Sequence, residues 1–203
     1  MSDNIGRFQV LVPYIKQLLN KHHELYSVQC KDVLWEEIFS RALIQAGLGS
    51  DWSPDYNHKI GTDQTCSDGK RCSNKSGVFN KTDSSVKISG SRTTKHKTID
   101  DKIKFLSINH EDYILCLSGC KKEWKQGMKK YYFIVIDSND LNYADSNWTE
   151  TIGSRGRYKD KVSGWKCITE NFNADITKGT CDQLWTTVKK SVFKEFYEIN
   201  IGD

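Results

Sequence analysis

Residues 60–77, IGTDQTCSDGKRCSNKSG, constrain this chain more than any other stretch. Asp68-Gly69 is a strong hairpin signal, because a tight turn between strands needs residues that tolerate positive φ. The segment therefore predicts two short strands joined at residues 67–70. Pairing about that turn sets Asp63 across from Asn74, with Ser73 and Lys75 on either side of it. Residues two apart in a strand leave the same face, so Ser73 and Lys75 share one. An aspartate, a small polar residue and a lysine then converge on one spot. That set suits a divalent cation with a fixed positive charge beside it.

Charge around this hairpin is uneven. Residues 70–104 carry ten Lys/Arg against three acids (Asp83, Asp100 and Asp101), or +7, leaving −3 for the remainder of a chain whose net is +4. Clustered Lys and Arg are what a polyanion-binding face requires. A mean hydropathy of −0.64 and 28% charged residues describe a soluble chain. No apolar run reaches membrane-spanning length and none resembles a signal peptide, so the expected location is cytoplasmic. The 203 residues predict one domain, and the two prolines, Pro13 and Pro54, argue against linkers. Seven cysteines include no Cys-x-x-Cys pair and no zinc-finger spacing, so all are read as reduced thiols. Cys66 and Cys72 flank the hairpin turn and could face one another.

In chain order, residues 5–26 repeat apolar side chains at helical spacing (Phe8, Leu11, Ile15, Leu18, Leu19), with Pro13 implying a break or a start near Val12. This is expected to be a packing or dimerisation helix. Residues 31–48 form the clearest helix, with Asp32 as cap, Gly47 as stop, and Trp35, Ile38, Phe39, Ala42, Leu43 and Ala46 as its buried stripe. Glu36 lies at the edge of that stripe, whereas Glu37 points to solvent. Strand patterns follow at 84–89, 112–118, 129–137, 148–152, 164–169 and 184–188. Thr98 with Asp101 predicts a capped helix over 98–108. Residues 153–158 make a glycine-loosened basic loop with Arg155 and Arg157, without the spacing of a nucleotide P-loop. Residues 189–198 predict a closing helix.

The order Asp63, nine residues, Ser73, one residue, Lys75 resembles the core of PD-(D/E)XK nucleases, with serine where the second acid usually stands. The compact hairpin is most similar to the PvuII and EcoRV branch of type II restriction endonucleases, and the likeness runs over residues 34–118. It implies an α/β, restriction-endonuclease-like mixed central sheet flanked by helices. Residues 1–30 would then be a helical segment for dimerisation, 31–118 the catalytic core and 119–203 a β-rich extension with DNA-contacting loops. It also implies Mg²⁺-dependent hydrolysis of double-stranded DNA by a homodimer at a palindromic site, with a cognate DNA methyltransferase as functional partner.

On this likeness Asp63 is the primary metal ligand and Lys75 orients the attacking water, while the strand at Ser73 lends a backbone carbonyl. Ser73 brings no charge, so another acid must complete the site. Glu36 matches a helix glutamate of such cores, with Glu37 and Asp55, of a literal Pro54-Asp55, as alternatives. The loop after the third strand would reach the DNA groove through Ser91, Arg92, Thr93, Thr94, Lys95 and His96, aided by Asn74, Arg155 and Arg157. A repair nuclease of the same fold, or an inactive DNA-binding relative, would share these features.

Overall fold

The computed structural model describes residues 6–49, 63–108, 111–127, 129–179 and 181–202. Two helices come first, α1 (Val12–Leu25) and α2 (Val33–Gln45). The hairpin strands β1 (Gln64–Thr65) and β2 (Arg71–Asn80) follow, then β3 (Ser85–Arg92), α3 (Ile99–Leu106), β4 (Tyr113–Gly119), the short α4 (Lys121–Lys125) and β5 (Lys130–Asp137). The rest is strand: β6 (Thr149–Ile152), β7 (Val162–Ile168), β8 (Phe172–Thr177), β9 (Gln183–Lys189) and β10 (Phe193–Asn200). All join one mixed sheet in the order β10-β5-β4-β2-β3-β9-β8-β7-β6, with β1 alongside β2. The protein is thus an α/β structure built on a large mixed sheet with few helices. Among the described residues no helix is long and apolar enough to cross a membrane.

The pair β2 and β4 is parallel, with Ser73 beside Ile114 and Lys75 beside Cys116. Parallel neighbours need a crossover, here supplied by β3, the following loop and α3. β4 and β5 are buried on both faces, which is why each reads as a nearly unbroken apolar run. On one face Leu115, Leu117, Phe133 and Val135 pack against Trp35, Phe39, Leu43 and α1. On the other, Ile114, Cys116, Ile134 and Ile136 join Leu106 of α3 and the inward residues of β3 and β7–β9.

Pro13 falls in the first turn of α1, where its missing N–H costs nothing, so the helix starts at Val12 instead of breaking. Gly47 takes φ +69° and ends α2, as its position implied. Asp32 stands at the N-cap of α2, but its side chain makes no capping bond; its backbone N–H donates to Ser76 Oγ at 2.6 Å instead. Thr98 does cap α3, accepting from Asp101 N–H at 3.1 Å.

The expected closing helix is a strand. Phe193, Phe196 and Tyr197 are spaced three and four apart, which mimics a helical stripe. β10 nevertheless pairs antiparallel along β5, from Phe193 beside Ile136 to Asn200 beside Lys130. Buried β5 needs partners for its outer N–H and C=O groups, and that demand outweighs local periodicity. Phe196 stacks on Tyr132 on one face, and Tyr197 on Phe133 on the other.

A polar chain fixes α1 to the sheet. Cys30 N–H donates to Tyr131 Oη at 2.7 Å, and Tyr131 Oη lies 2.8 Å from His23 Nε2. His23 Nδ1 faces Tyr26 O at 2.9 Å. A carbonyl can only accept, so Nδ1 carries the proton and Nε2 receives the tyrosine hydroxyl. Burial lowers the His23 pKa, helped by His22 and Lys129 and opposed by the Tyr26 carbonyl. A depressed histidine pKa means the neutral form stabilises the fold. That contribution is complete above the unfolded-state value of about 6.5 and is lost as pH falls through the folded one. In urea unfolding, the stability advantage of the parent over His23→Gln is expected to be smaller at pH 5.5 than at pH 7.5.

Candidate functional site

The hairpin forms about the Asp68-Gly69 turn, where Gly69 has φ +83°. Gln64 opposes Cys72 and Thr65 opposes Arg71, so the pairing is displaced by one residue from the expected register. Asp63 therefore lies level with Ser73, its N–H donating to Cys72 O at 2.9 Å. The shift improves the convergence. Asp63 Oδ2 accepts from Asn74 N–H at 2.5 Å and from Ser73 Oγ at 3.2 Å. Lys75 Nζ lies 3.9 Å from the same oxygen, and both side chains are one-quarter exposed.

Why the three groups meet follows from how the sheet edge is shared. One edge of β2 is occupied by β4 from Cys72 to Val78. The other is taken by β1 only at Arg71 and Cys72, and by β3 only from Gly77 onward. Among the described residues no strand lies beside 73–76 on that edge, which leaves a fork there, and the Asp63 carboxylate fills part of the gap by capping Asn74 N–H. Gly77 marks where β3 takes over: a Cβ there would lie 2.8 Å from Cys116 Sγ and Val86 Cγ2.

A second acid borders this spot. Glu111 lies two residues before β4, next to Asp112, whose N–H donates to Arg71 O and whose carboxylate accepts Arg71 N–H, both at 2.9 Å. Burial pushes the Glu111 carboxyl up to about 7, with Lys75 pulling it down, Asp63 pushing it up and Arg71 pulling it down. The sequence reading missed Glu111. Its signal was an acid at the mouth of the apolar run that becomes the parallel neighbour of β2. An acid with a raised folded-state pKa favours folding while protonated, so its contribution is lost as pH rises through that pKa. In the metal-free protein, Glu111→Gln is expected to raise the melting temperature at pH 8 and leave it unchanged at pH 5, read by calorimetry.

Alternation along β2 sorts the other candidates. Ser73 and Lys75 leave the face of Ile114 and Cys116, whereas Cys72, Asn74 and Ser76 leave the face packed by α2. Glu36 belongs to α2 and so to the Asn74 side; its carbonyl accepts from Gln64 Nε2 at 2.9 Å. Glu37 is engaged with Arg41 at 2.8 Å, and Asp55 lies outside the described residues. Asn74 is 4% exposed, which removes it from a DNA-contacting role; the burial follows from its place under α2. Its amide and Gln64 Oε1 are buried with no hydrogen-bond partner among the described residues.

The basic loop is partly structural. Ser91 and Arg92 end β3. Thr93 is fully buried, its N–H and Oγ1 donating to Asp182 O and its carbonyl accepting from Lys102, so it too is unavailable to DNA. Thr94 Oγ1 accepts from Asp182 N–H at 3.1 Å, and His96 stacks on Phe105 at 4.5 Å. Arg92, Thr94, Lys95 and Lys97 remain exposed. Arg155 and Arg157 are exposed in the turn after β6, on the far half of the sheet.

Among the described residues no three His, Cys, Asp or Glu side chains cluster as a ready-made metal cage. Mg²⁺ does not need one, since it keeps several waters and takes one or two carboxylates together with substrate phosphates. Asp63 supplies one carboxylate, with Glu111 and Glu36 on the two sides of the fork. No family model, curated protein or solved structure matches this chain.

Proposed function

We propose that this chain is a Mg²⁺-dependent type II restriction endonuclease hydrolysing phosphodiester bonds at a short site in double-stranded DNA. The observation that carries the reading is the meeting of Asp63, Ser73 and Lys75 where one edge of β2 has no strand neighbour among the described residues, with exposed Arg92 and Lys95 at and just after the end of β3. The parallel pair joined through β3 and α3, with helices on both faces, supports a restriction-endonuclease-like fold as the finer description. Asp63 is the primary ligand for the ion, completed by Glu36 or Glu111 and the carbonyl of Ser73. A bound Mg²⁺ supplies charge neutralisation at the phosphate and acidifies a water. Lys75 holds a fixed cation beside Asp63, where it orients that water and balances charge on the scissile phosphate. Ser73 donates to Asp63 and keeps its carboxylate turned into the fork.

Exposed Arg92, Thr94 and Lys95 contact the DNA, Arg155 and Arg157 extend the basic surface, and α1 serves a homodimer that matches a palindrome. A cytoplasmic enzyme of this kind acts beside a methyltransferase that protects the host's own sites. The test is incubation of unmethylated phage DNA with the protein and Mg²⁺. Discrete bands are the expected result. Cutting confined to branched or mismatched DNA would instead indicate a repair nuclease, and binding without cutting a DNA-binding protein whose Ser73 marks a lost site.

A further inference from the structure

The hairpin that carries Asp63 and Lys75 also carries two thiols that the proposed hydrolysis does not use. Gln64 opposes Cys72, so Cys66, two residues on, lies diagonal to it on the same face. Their sulfurs are 3.7 Å apart, both side chains are buried, and neither is in a disulfide. The Arg7 guanidinium, held by Asp68 at 2.5 Å, lines the same cleft as Cys66 and favours its thiolate. That cleft, of about 160 Å³, is also lined by Phe8, Leu43 and Leu48. A small oxidant entering there meets one sulfur beside a cation, with a second sulfur directly behind it.

We propose that Cys66 and Cys72 form a peroxide-oxidisable dithiol, with Cys66 the attacking thiol and Cys72 the resolving one. The Cys66 thiolate attacks one oxygen of a hydroperoxide; an S–O bond forms, the O–O bond breaks, and the departing oxygen takes a proton and leaves as water or alcohol. Cys72 then attacks the Cys66 sulfur. The S–S bond forms as the S–O bond breaks, and the hydroxyl leaves with the Cys72 proton as a second water. Two thiols are oxidised and one peroxide is reduced.

The electrostatics agree with this division of roles. The Cys72 bond and the Arg7 cation lower the Cys66 thiol against the opposing effect of burial. Burial pushes Cys30 up to about 12 and also raises Cys116 and Cys167, while Cys72 is raised by its Cys66 neighbour and by burial. Thiolate character and access select the oxidised thiol, which favours Cys66. Closing the bridge draws the sulfurs to about 2.05 Å and pulls on the strand pairing at Cys72, whose carbonyl bonds Asp63 N–H. On the endonuclease reading, oxidation therefore disturbs the metal-binding carboxylate.

The test is mass spectrometry of the full-length protein after brief treatment with hydrogen peroxide, which is independent of any cleavage assay. The expected product is two hydrogens lighter. Lys70 and Arg71 lie between the two cysteines, so trypsin should release their peptides joined until reductant is added. In Cys72→Ser, and equally in Cys72→Ala, Cys66 should stop at the sulfenic acid and take up dimedone. At pH 7 iodoacetamide should modify Cys66 at least ~10-fold faster than the buried cysteines, and Arg7→Gln should slow that reaction. An unchanged mass, a bridge between other cysteines, or labelling spread evenly over all seven would overturn the proposal.

Discussion

Asp63→Ala is expected to leave a protein that folds and binds DNA but no longer cuts it. Asp63 Oδ2 is the point on which Asn74 N–H, Ser73 Oγ and Lys75 converge, so its removal takes away the carboxylate that these groups hold at the fork. Metal-borne stabilisation of a developing phosphorane amounts to several kcal/mol, so the cleavage rate should fall on the order of 10³-fold or more. Lys75→Ala should fall by a similar order, because its ammonium is the fixed cation of the site. Affinity for DNA should change little in either variant, since most of it comes from phosphate contacts elsewhere on the basic face. A gel-shift assay in Ca²⁺ alongside a digest in Mg²⁺ separates the two properties. Cutting that persists in Asp63→Ala would remove the carboxylate from the mechanism.

The largest effect on stability is expected at Lys102. This lysine is 1% exposed in α3, and its ammonium donates to Thr93 O at 2.9 Å, His96 O at 2.5 Å and the Asp182 carboxylate at 2.8 Å. All three donors are thereby used, and the side chain clamps the basic loop to α3 and to the start of β9. Lys102→Ala leaves a largely buried carboxylate and two carbonyls unpaired. Breaking a buried pair from one side costs about 3–5 kcal/mol. For a chain of this size that lowers the melting temperature by roughly 10 °C. Lys102→Met combined with Asp182→Asn should recover part of the loss, because no charge is then left buried. A melting temperature for Lys102→Ala within a degree of the parent would mean that water replaces the lysine, and that the loop is not held this way.

Much of the frame could be read from residue pattern. The apolar runs of β4 and β5, the stripe on α2, the Thr98 cap and the Asp68-Gly69 turn each appear where local chemistry demands. These are elements whose own residues determine them. β10 was not legible, because its aromatic spacing fits a helix as well as a strand and only the unpaired edge of β5 decides between them. β8, FNADIT, alternates apolar and polar residues as a half-buried strand should, with Phe172, Ala174 and Ile176 facing the core, and it does not stand out because the run is short and carries Asn and Asp. Lys102 is legible in the sequence only as one of the ten basic residues of 70–104, since nothing local reveals that three acceptors surround it. At the site, the hairpin made Asp63, Ser73 and Lys75 visible together. Glu111 was hidden because it reaches them only through the parallel pairing of β2 with β4, forty residues' separation having no local signature.

The central claim is that the fork at residues 73–76 holds a divalent ion through Asp63. Manganese binding measured by electron paramagnetic resonance, with the protein on duplex DNA, tests it most directly. The account predicts that one ion per chain loses its free-ion signal with the parent protein and that this ion is missing with Asp63→Asn. Equal manganese binding by the two proteins would contradict it.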